Sequence, residues 1–269
     1  MKQFVVIGNP VDHSLSPQIH QLFAEQTGIH LTYEPLLAPF DSFAATVTTF
    51  IEQGGYGANI TLPFKEQAFE LALKKSQAAI DARAVNTLVF HDEGLVEGFN
   101  TDGTGLIQDL THNHHYSLRQ KHILILGAGG AVRGIVAPLL EQAPAKLVIA
   151  NRTRCKAEHL VEQFDLLGKI EARALDELND GPYDLIIHGT SVRHEGGLSF
   201  EKTLLGAHTW CYDLNYTSDH QTPFLRWAVG HGAQRALDGL GMLVEQAAAA
   251  FYIWHGVYPD TNRVIAALS

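Results

Sequence analysis

The residues with the clearest chemical potential fall in a few short runs. ILILGAGGAVRG places Gly127, Gly129 and Gly130 where a β-rich stretch gives way to a helical pattern. Without a Cβ the backbone can approach a pyrophosphate closely, and the N–H groups at a helix start receive negative charge. Gly127 and Gly129 fill the first two places of G-x-G-x-x-G. Val132 takes the third, so the match is a G-x-G-G-A variant with Ala128 and Ala131 completing the turn. A pocket for an unphosphorylated adenosine ribose wants Asp or Glu roughly 20 residues further on. That place holds Asn151, with Arg152, Thr153, Arg154 and Lys156 behind it. Three cations without a carboxylate suit a 2′-phosphate, and a guanidinium face can stack on adenine, so the residues favour NADP over NAD. A solvated charge cluster is the bland alternative.

A second group lies nearer the N-terminus. Ser14 and Ser16, two positions apart, can offer two hydroxyl donors to one carboxylate if their loop is extended, while Ser16 before Pro17 also reads as a helix cap. Asn59 and Asn86 follow short strands, and their amides can donate to and accept from adjacent hydroxyls on one ring. A polyhydroxylated acid fits such a set better than a fatty or aromatic ligand. Lys65 follows Pro63 in an expected first helical turn. Gln246 interrupts an otherwise apolar helix, where it is either an exposed polar position or, given the alanines after it, part of a closely packed face.

These residues need elements to hold them. Phe4 to Ile7 is read as a strand, Pro17 to Thr27 as a helix, Tyr33 to Leu37 as a strand, Phe40 to Gln53 as a helix and Gly57 to Ile60 as a strand. A helix follows Pro63 toward Leu73, strands cover Ala84 to Phe90 and Leu95 to Gly98, and a helix begins near Thr101 and Asp102. Thr111 to Lys121 reads as a polar break. Beyond it, strand His122 to Leu126, a helix to Glu141, strand Leu147 to Ala150 and helix Thr153 to Phe164 form a βαβ pattern. Strands are expected at Leu185 to His188 and Trp210 to Asn215, and helices at Pro223 to Gly230, from about Leu237, and at Thr261 to Leu268. The fold class is therefore α/β.

The chain has 269 residues, enough for one large or two modest domains. Its formal net charge is −10, with no basic tract, which argues against nucleic acid and anionic membrane as partners. Cys155 and Cys211 form no staple pattern, so a reducing compartment is expected. The apolar run near the N-terminus reads as a first strand, and the longest elsewhere, Ala247 to Trp254, is far short of the ~18 residues of a membrane span. A cytoplasmic protein acting on small molecules, as a monomer or homodimer, is the expectation, with no metal. His112, His114 and His115 are read as a solvated linker.

The runs GNP with SLSP, ANITLPFK, AVNT, Gly98 to Gly103, the glycine turn, Asn151-Arg152-Thr153 and Asp238 to Phe251 together resemble the shikimate dehydrogenase family. That resemblance implies an N-terminal substrate domain and a Rossmann-type NADP-binding domain with a cleft between them. It implies that the first domain is discontinuous, here 1–103 and 237–269, with 104–236 binding NADP. It also implies reversible NADP-dependent reduction of 3-dehydroshikimate to shikimate, in chorismate and aromatic amino-acid biosynthesis, with Lys65 and Asp102 as the catalytic pair. Ser14, Ser16 and Thr61 would hold the substrate carboxylate, with Tyr216 on that side, while Asn59, Asn86, Asp102 and Gln246 would meet ring hydroxyls. Thr190, Ser191, Leu214, Gly239 and Met242 would join the cofactor set. The chemistry is coherent, because hydride delivery to a ketone builds negative charge on oxygen, which a nearby ammonium can stabilise and protonate. His188 stands where relatives commonly have Asn, which bears on the cofactor rim; the loop Val192 to Gly197 has no assigned role, and Ser218 takes a place where proline is frequent. A quinate/shikimate dehydrogenase with relaxed cofactor choice and a nucleotide-binding regulator without turnover remain as alternatives.

Overall fold

The computed structural model describes residues 1–190, 202–217 and 219–269. It divides into two compact units, one made of Met1–Gln108 with Leu243–Ser269, the other of Asp109–Met242.

The first unit is built from β1 (Lys2–Gly8), α1 (Ser16–Thr27), β2 (Leu31–Leu37), α2 (Phe43–Glu52), β3 (Gly55–Ile60), α3 (Lys65–Leu71), β4 (Lys74–Lys75), α4 (Gln77–Ala82), β5 (Thr87–Phe90), β6 (Val96–Phe99) and α5 (Asp102–Gln108). Its sheet has the order β2-β1-β3-β5-β6-β4. β1 runs parallel to β2 and β3, whereas β5 is antiparallel to both β3 and β6. The switch in direction at β3/β5 brings Asn59 opposite Thr87 in the ladder, so chemistry from two distant stretches meets at one register position. Ile7, Ala58, Ile60, Phe64, Ala68, Val85 and Leu88 are buried in the core beneath it. Phe43 and Phe64 stack at 4.9 Å in that core, and Phe64, the residue before α3, thereby anchors the turn that presents Lys65.

The second unit contains β7 (His122–Leu126), α6 (Gly130–Glu141), β8 (Lys146–Asn151), α7 (Arg154–Phe164), β9 (Ile170–Ala174), β10 (Leu185–His188), β11 (Trp210–Asp213), α8 (Pro223–Gly230) and β12 (Arg235–Leu237). Its six strands are all parallel in the order β12-β11-β10-β7-β8-β9. The order in which the chain adds strands reverses between β7 and β10, the switch point at which doubly wound sheets bind ligands. Strand interiors such as Ile123 to Leu126 are fully buried because helices cover both faces of such sheets.

The chain ends with α9 (Leu240–His255) and α10 (Thr261–Leu268), and the division between the units falls inside α9. The divisions between the two compact units lie at 108/109 and 242/243. α5 continues unbroken through Gln108, and Asp109 accepts a hydrogen bond from Tyr212 (2.6 Å), whose hydroxyl also accepts from the Met242 N–H (3.3 Å). A Cβ on Gly241 would stand 2.0 Å from Asp109 Oδ1, so that glycine is required by close approach.

Several element boundaries also differ from expectation. α3 starts at Lys65 and leaves Pro63 outside the helix, in a turn where Leu62-Pro63 is cis. The second helix starts at Phe43 rather than Phe40. The segment read as a polar break continues α5 as a π-helical turn, Asp109–Asn113, and then buries Tyr116 and Leu118. Tyr116 packs on Trp210, 4.5 Å between ring centroids. β4, α4, β9 and β12 were not expected; all are short, and the two residues of β4 and the three of β12 carry no period.

Candidate active site

In the first unit the side chains converge on Asn86. Its Nδ2 donates to Asp102 Oδ1 (2.9 Å), Thr101 Oγ1 (2.9 Å) and Gln246 Oε1 (3.3 Å), and its Oδ1 accepts from the Thr101 N–H (2.9 Å) and the Thr87 hydroxyl (3.0 Å). Asp102 opens α5, its N–H donating to Asn100 Oδ1, while Asn100 Nδ2 donates to the Ala84 carbonyl. The other Asp102 oxygen faces Lys65 Nζ at 2.5 Å, with side chains 12% and 6% exposed. An ammonium and a carboxylate this close and this dry offset their desolvation only where their remaining hydrogen-bonding capacity is met. Here Asn86 meets the free Asp102 oxygen. The pair can deliver a proton to an oxygen placed beside Nζ and hold the geometry as charge develops.

Asn59 is buried beside this hub. Its Oδ1 accepts from the Tyr33 hydroxyl (2.7 Å), and its Nδ2 donates to Thr87 Oγ1 (3.0 Å) and to the Asn86 carbonyl (3.2 Å). Both Asn59 amide hydrogens therefore serve protein partners, and only the second lone pair of Oδ1 remains for a ring hydroxyl. Burial holds the Tyr33 phenol well above its ordinary range, so Tyr33 stays a donor. Behind it, His20 stacks on the Tyr33 ring at 4.2 Å, and burial lowers the His20 pKa to about 3. The helix Ser16–Thr27 thus presses a neutral imidazole against the phenol that orients Asn59.

At the start of α1 it is the Ser14 side chain, not that of Ser16, that meets a backbone N–H. Ser16 is the first helical residue, and Ser14 Oγ accepts its N–H (3.2 Å) after a turn in which the Ser14 N–H donates to the Val11 carbonyl. The loop is a turn rather than extended, and Ser16 is not a side-chain cap. Thr61 is half-buried at the end of β3, its methyl so close to Gly8 that a Cβ there would stand 2.4 Å away. Gln246 is half-buried within the hub, its Nε2 on the Leu243 carbonyl, with Ala247 and Ala248 fully buried beside it. Tyr33, Thr87, Asn100 and Thr101 were missed from the sequence. The Asn-Thr pairs 86–87 and 100–101 were the available signal.

In the second unit Gly127 adopts φ +120°, donates to the Ala150 carbonyl, and lies where a Cβ would stand 2.8 Å from the Gly189 oxygen. At Gly129 and Gly130 a Cβ would meet, among the described residues and apart from its own chain neighbours and helix, no atom within 4 Å. Open space at those two glycines, with Ala128 and Ala131 flanking them at the uncapped start of a 12-residue helix, fits an approaching pyrophosphate. Val132 is buried and packs on Gly189, which explains the apolar third place of the pattern. Asn151 Nδ2 donates to the Thr153 carbonyl at the end of β8.

The three cations there are not equivalent. Arg154 is held by Glu158 (2.7 Å) and in a fork by Glu177 (2.6 and 2.8 Å). Arg152 and Lys156 are exposed and form no ion pair among the described residues. A 2′-phosphate would find the latter two ready and would have to compete for Arg154. Thr190 and Leu214 are half-buried, and Met242 is buried. A Cβ on Gly239 would stand 2.5 Å from the Leu214 carbonyl oxygen. Tyr216 is half-buried after β11. His188, expected at a rim, is instead buried between Asp213 and Thr190. Ser191, the loop Val192 to Gly197 and Ser218 lie outside the described residues. Among the described residues no cluster of three metal-ligating side chains occurs, His114 faces Asp109 at 3.6 Å, and no helix is long and apolar enough to cross a membrane.

A parallel dinucleotide-type sheet in one unit and a buried lysine–carboxylate pair amid neutral amides and hydroxyls in the other define a two-domain nicotinamide-type oxidoreductase. Comparison with known proteins narrows the class. The profile of the shikimate dehydrogenase substrate binding domain matches residues 6–88, that of shikimate / quinate 5-dehydrogenase residues 109–195, and that of the shikimate 5'-dehydrogenase C-terminal domain residues 239–268. The chain is 52% identical over 266 residues to the shikimate dehydrogenase (NADP(+)) of Coxiella burnetii (strain Dugway 5J108-111), covering 98% of this chain and 97% of that one. The fold superposes on an Ael1 enzyme from Pseudomonas putida with a TM-score of 0.92 at 42% identity, covering 100% and 98% of the two chains. It superposes on shikimate 5-dehydrogenase from Thermus thermophilus, solved in complex with NADP(H) and shikimate, with a TM-score of 0.85 at 32% identity, covering 100% and 98%. The chain belongs to the shikimate dehydrogenase family.

Proposed function

We propose that this chain catalyses the reversible NADP-dependent reduction of 3-dehydroshikimate to shikimate, a step of chorismate and aromatic amino-acid biosynthesis. The observation that carries the reading is the Lys65–Asp102 pair, 2.5 Å apart and nearly dry, within a hub of neutral amides and hydroxyls. Bound NADPH supplies the hydride. Lys65 supplies the proton to the oxygen that becomes the hydroxyl, and Asp102 aims the ammonium. Asn86, Asn59 and Gln246 read the ring hydroxyls, with Thr101 and Tyr33 fixing their orientation. Ser14, Ser16 and Thr61 receive the carboxylate with neutral donors, which avoids burying an uncompensated cation when the site is empty. Gly127 to Ala131, Asn151 to Arg154, Lys156, Thr190, Leu214, Gly239 and Met242 form the cofactor set. Two free thiols, Cys155 exposed and Cys211 buried, support work in the cytoplasm.

The test is a set of initial rates with shikimate or quinate and NADP or NAD, for the native chain and Lys65→Ala. Shikimate with NADP should give the highest kcat/KM, and Lys65→Ala should abolish most of it. The absence of shikimate-dependent cofactor reduction in the native chain refutes the reading. A preference for quinate with NAD would reassign the substrate.

A further inference from the structure

β10 and β11 are neighbours, and their carboxyl ends carry an ordered chain of buried polar groups outside the Lys65 hub. His188 ends β10 with its side chain 5% exposed, and its Nδ1 lies 2.9 Å from Asp213 Oδ1 at the end of β11. Its Nε2 lies 2.6 Å from Thr190 Oγ1. Asp213 is itself over-determined. Oδ1 also accepts from the Asn215 N–H (3.1 Å) and Asn215 Nδ2 (2.9 Å), and Oδ2 accepts from the Thr222 hydroxyl (2.5 Å). The imidazole stacks on Phe224 at 4.8 Å, and the Leu214 N–H donates to the His188 carbonyl. Ring, carboxylate and backbone are thus locked together.

This arrangement sets the polarity of Thr190. A carboxylate only accepts, so Nδ1 carries a proton toward Asp213, and an imidazole with that single proton presents Nε2 as an acceptor. The single Thr190 hydroxyl proton must then point inward at Nε2, which leaves the hydroxyl an acceptor on its outer side. Thr190 stands beside the glycine turn, since a Cβ on Gly127 would meet Thr190 Cγ2 at 3.3 Å, and β10 and β7 flank the switch point of the sheet.

Resting on the reading of the chain as an NADP-dependent enzyme, we propose that Asp213 and His188 are positioning residues that hold the Thr190 hydroxyl as a hydrogen-bond acceptor for an N–H or O–H donor of the bound dinucleotide. They touch neither substrate nor cofactor and act through Thr190. Asparagine at position 188 could not stack on Phe224 while bridging Asp213 to Thr190, so the bridge depends on the imidazole.

The experiment measures NADP binding by calorimetry without shikimate, and separately KM for NADP, KM for shikimate and kcat, for the native chain, Thr190→Val, Thr190→Ser, His188→Phe and the His188→Phe/Thr190→Val double variant. Loss of one such bond weakens NADP binding by roughly three- to tenfold. Thr190→Val should show that loss in both dissociation constant and KM for NADP while KM for shikimate stays unchanged, and Thr190→Ser should restore it. His188→Phe keeps the stack on Phe224 and removes both ring nitrogens, so it should reproduce the Thr190→Val loss, and the double variant should add nothing further. Nitrogen NMR of the cofactor-free native chain should find the His188 proton on Nδ1. The proposal is overturned if Thr190→Val binds NADP like the native chain, if His188→Phe lowers thermal stability alone, or if the proton sits on Nε2. A native chain that binds neither NADP nor NAD would instead sink the enzyme reading itself.

Discussion

Replacing Lys65 by methionine separates the chemical role of the ammonium from its structural one. Nζ lies 2.5 Å from Asp102 Oδ2. At an effective dielectric of ~20 the gross attraction is about 6–7 kcal/mol. Desolvation of both groups offsets much of it, and breaking such a pair from one side costs about 3–5 kcal/mol, because the surviving charge is left uncompensated. In Lys65→Met, Asp102 keeps the Asn86 amide on Oδ1 but loses the cation on Oδ2. Thermal unfolding should therefore drop by on the order of 10 °C. kcat should fall by roughly 10²- to 10⁴-fold, the usual contribution of a positioned proton donor. The double variant Lys65→Met/Asp102→Leu removes the orphaned charge, so melting should return toward the native temperature while activity does not. Absorbance of the reduced nicotinamide gives the rates, and circular dichroism gives the melting curves. If Lys65→Met retains kcat within about tenfold of native, or if the double variant recovers rate together with stability, Lys65 is a structural cation and the proposed mechanism fails.

Three further outcomes are expected. Tyr33→Phe removes the donor to Asn59 Oδ1 and leaves a buried acceptor unpaired. It should cost about 1–3 kcal/mol in denaturant unfolding and raise KM for shikimate without altering KM for NADP. His20 has its pKa lowered by burial to about 3, so the unfolded chain binds its proton first. Its stabilising contribution is complete above pH 6.5 and is lost as pH falls from there toward 3, at about 1.4 kcal/mol per pH unit. His255, lowered by burial to about 4, acts in the same sense. His20→Phe preserves the stack on Tyr33 and should visibly flatten melting temperature against pH between 6.5 and 5; an unchanged slope would contradict a buried neutral His20. Arg152→Ala should raise KM for NADP more than Arg154→Ala does, since Glu158 and Glu177 already hold Arg154, and the reverse order would show that those carboxylates release it to the cofactor.

The runs legible in the sequence were those where local physics and final structure agree. His122 to Leu126, Leu185 to His188, Pro223 to Gly230 and Thr261 to Leu268 match the observed elements residue for residue, because continuous apolar runs, a proline at a helix start and clear punctuation act within a few residues. The glycine turn was equally legible, as was the lack of a carboxylate after β8. Lys65, Asp102, Asn59 and Asn86 could be named from residue type and family resemblance. Their distances could not, for these depend on β5 joining the sheet antiparallel to β3 and setting Thr87 opposite Asn59. No local pattern encodes that register. Tyr33 and His20 escaped notice because an aromatic or histidine on a buried face reads as core, and only packing across elements shows that the phenol meets an amide. Arg154 reads as a phosphate ligand from its local sequence, and only folding shows that Glu177, 23 residues away, also holds it. His188 read as a rim residue until β10 and β11 paired and closed it between Asp213 and Thr190. Sequence alone determined which groups are present and which short elements carry them, because those follow from covalent neighbours. Tertiary structure decided which groups are spent on one another and which remain to meet a ligand, because hydrogen bonds and burial are settled by residues far apart in the chain.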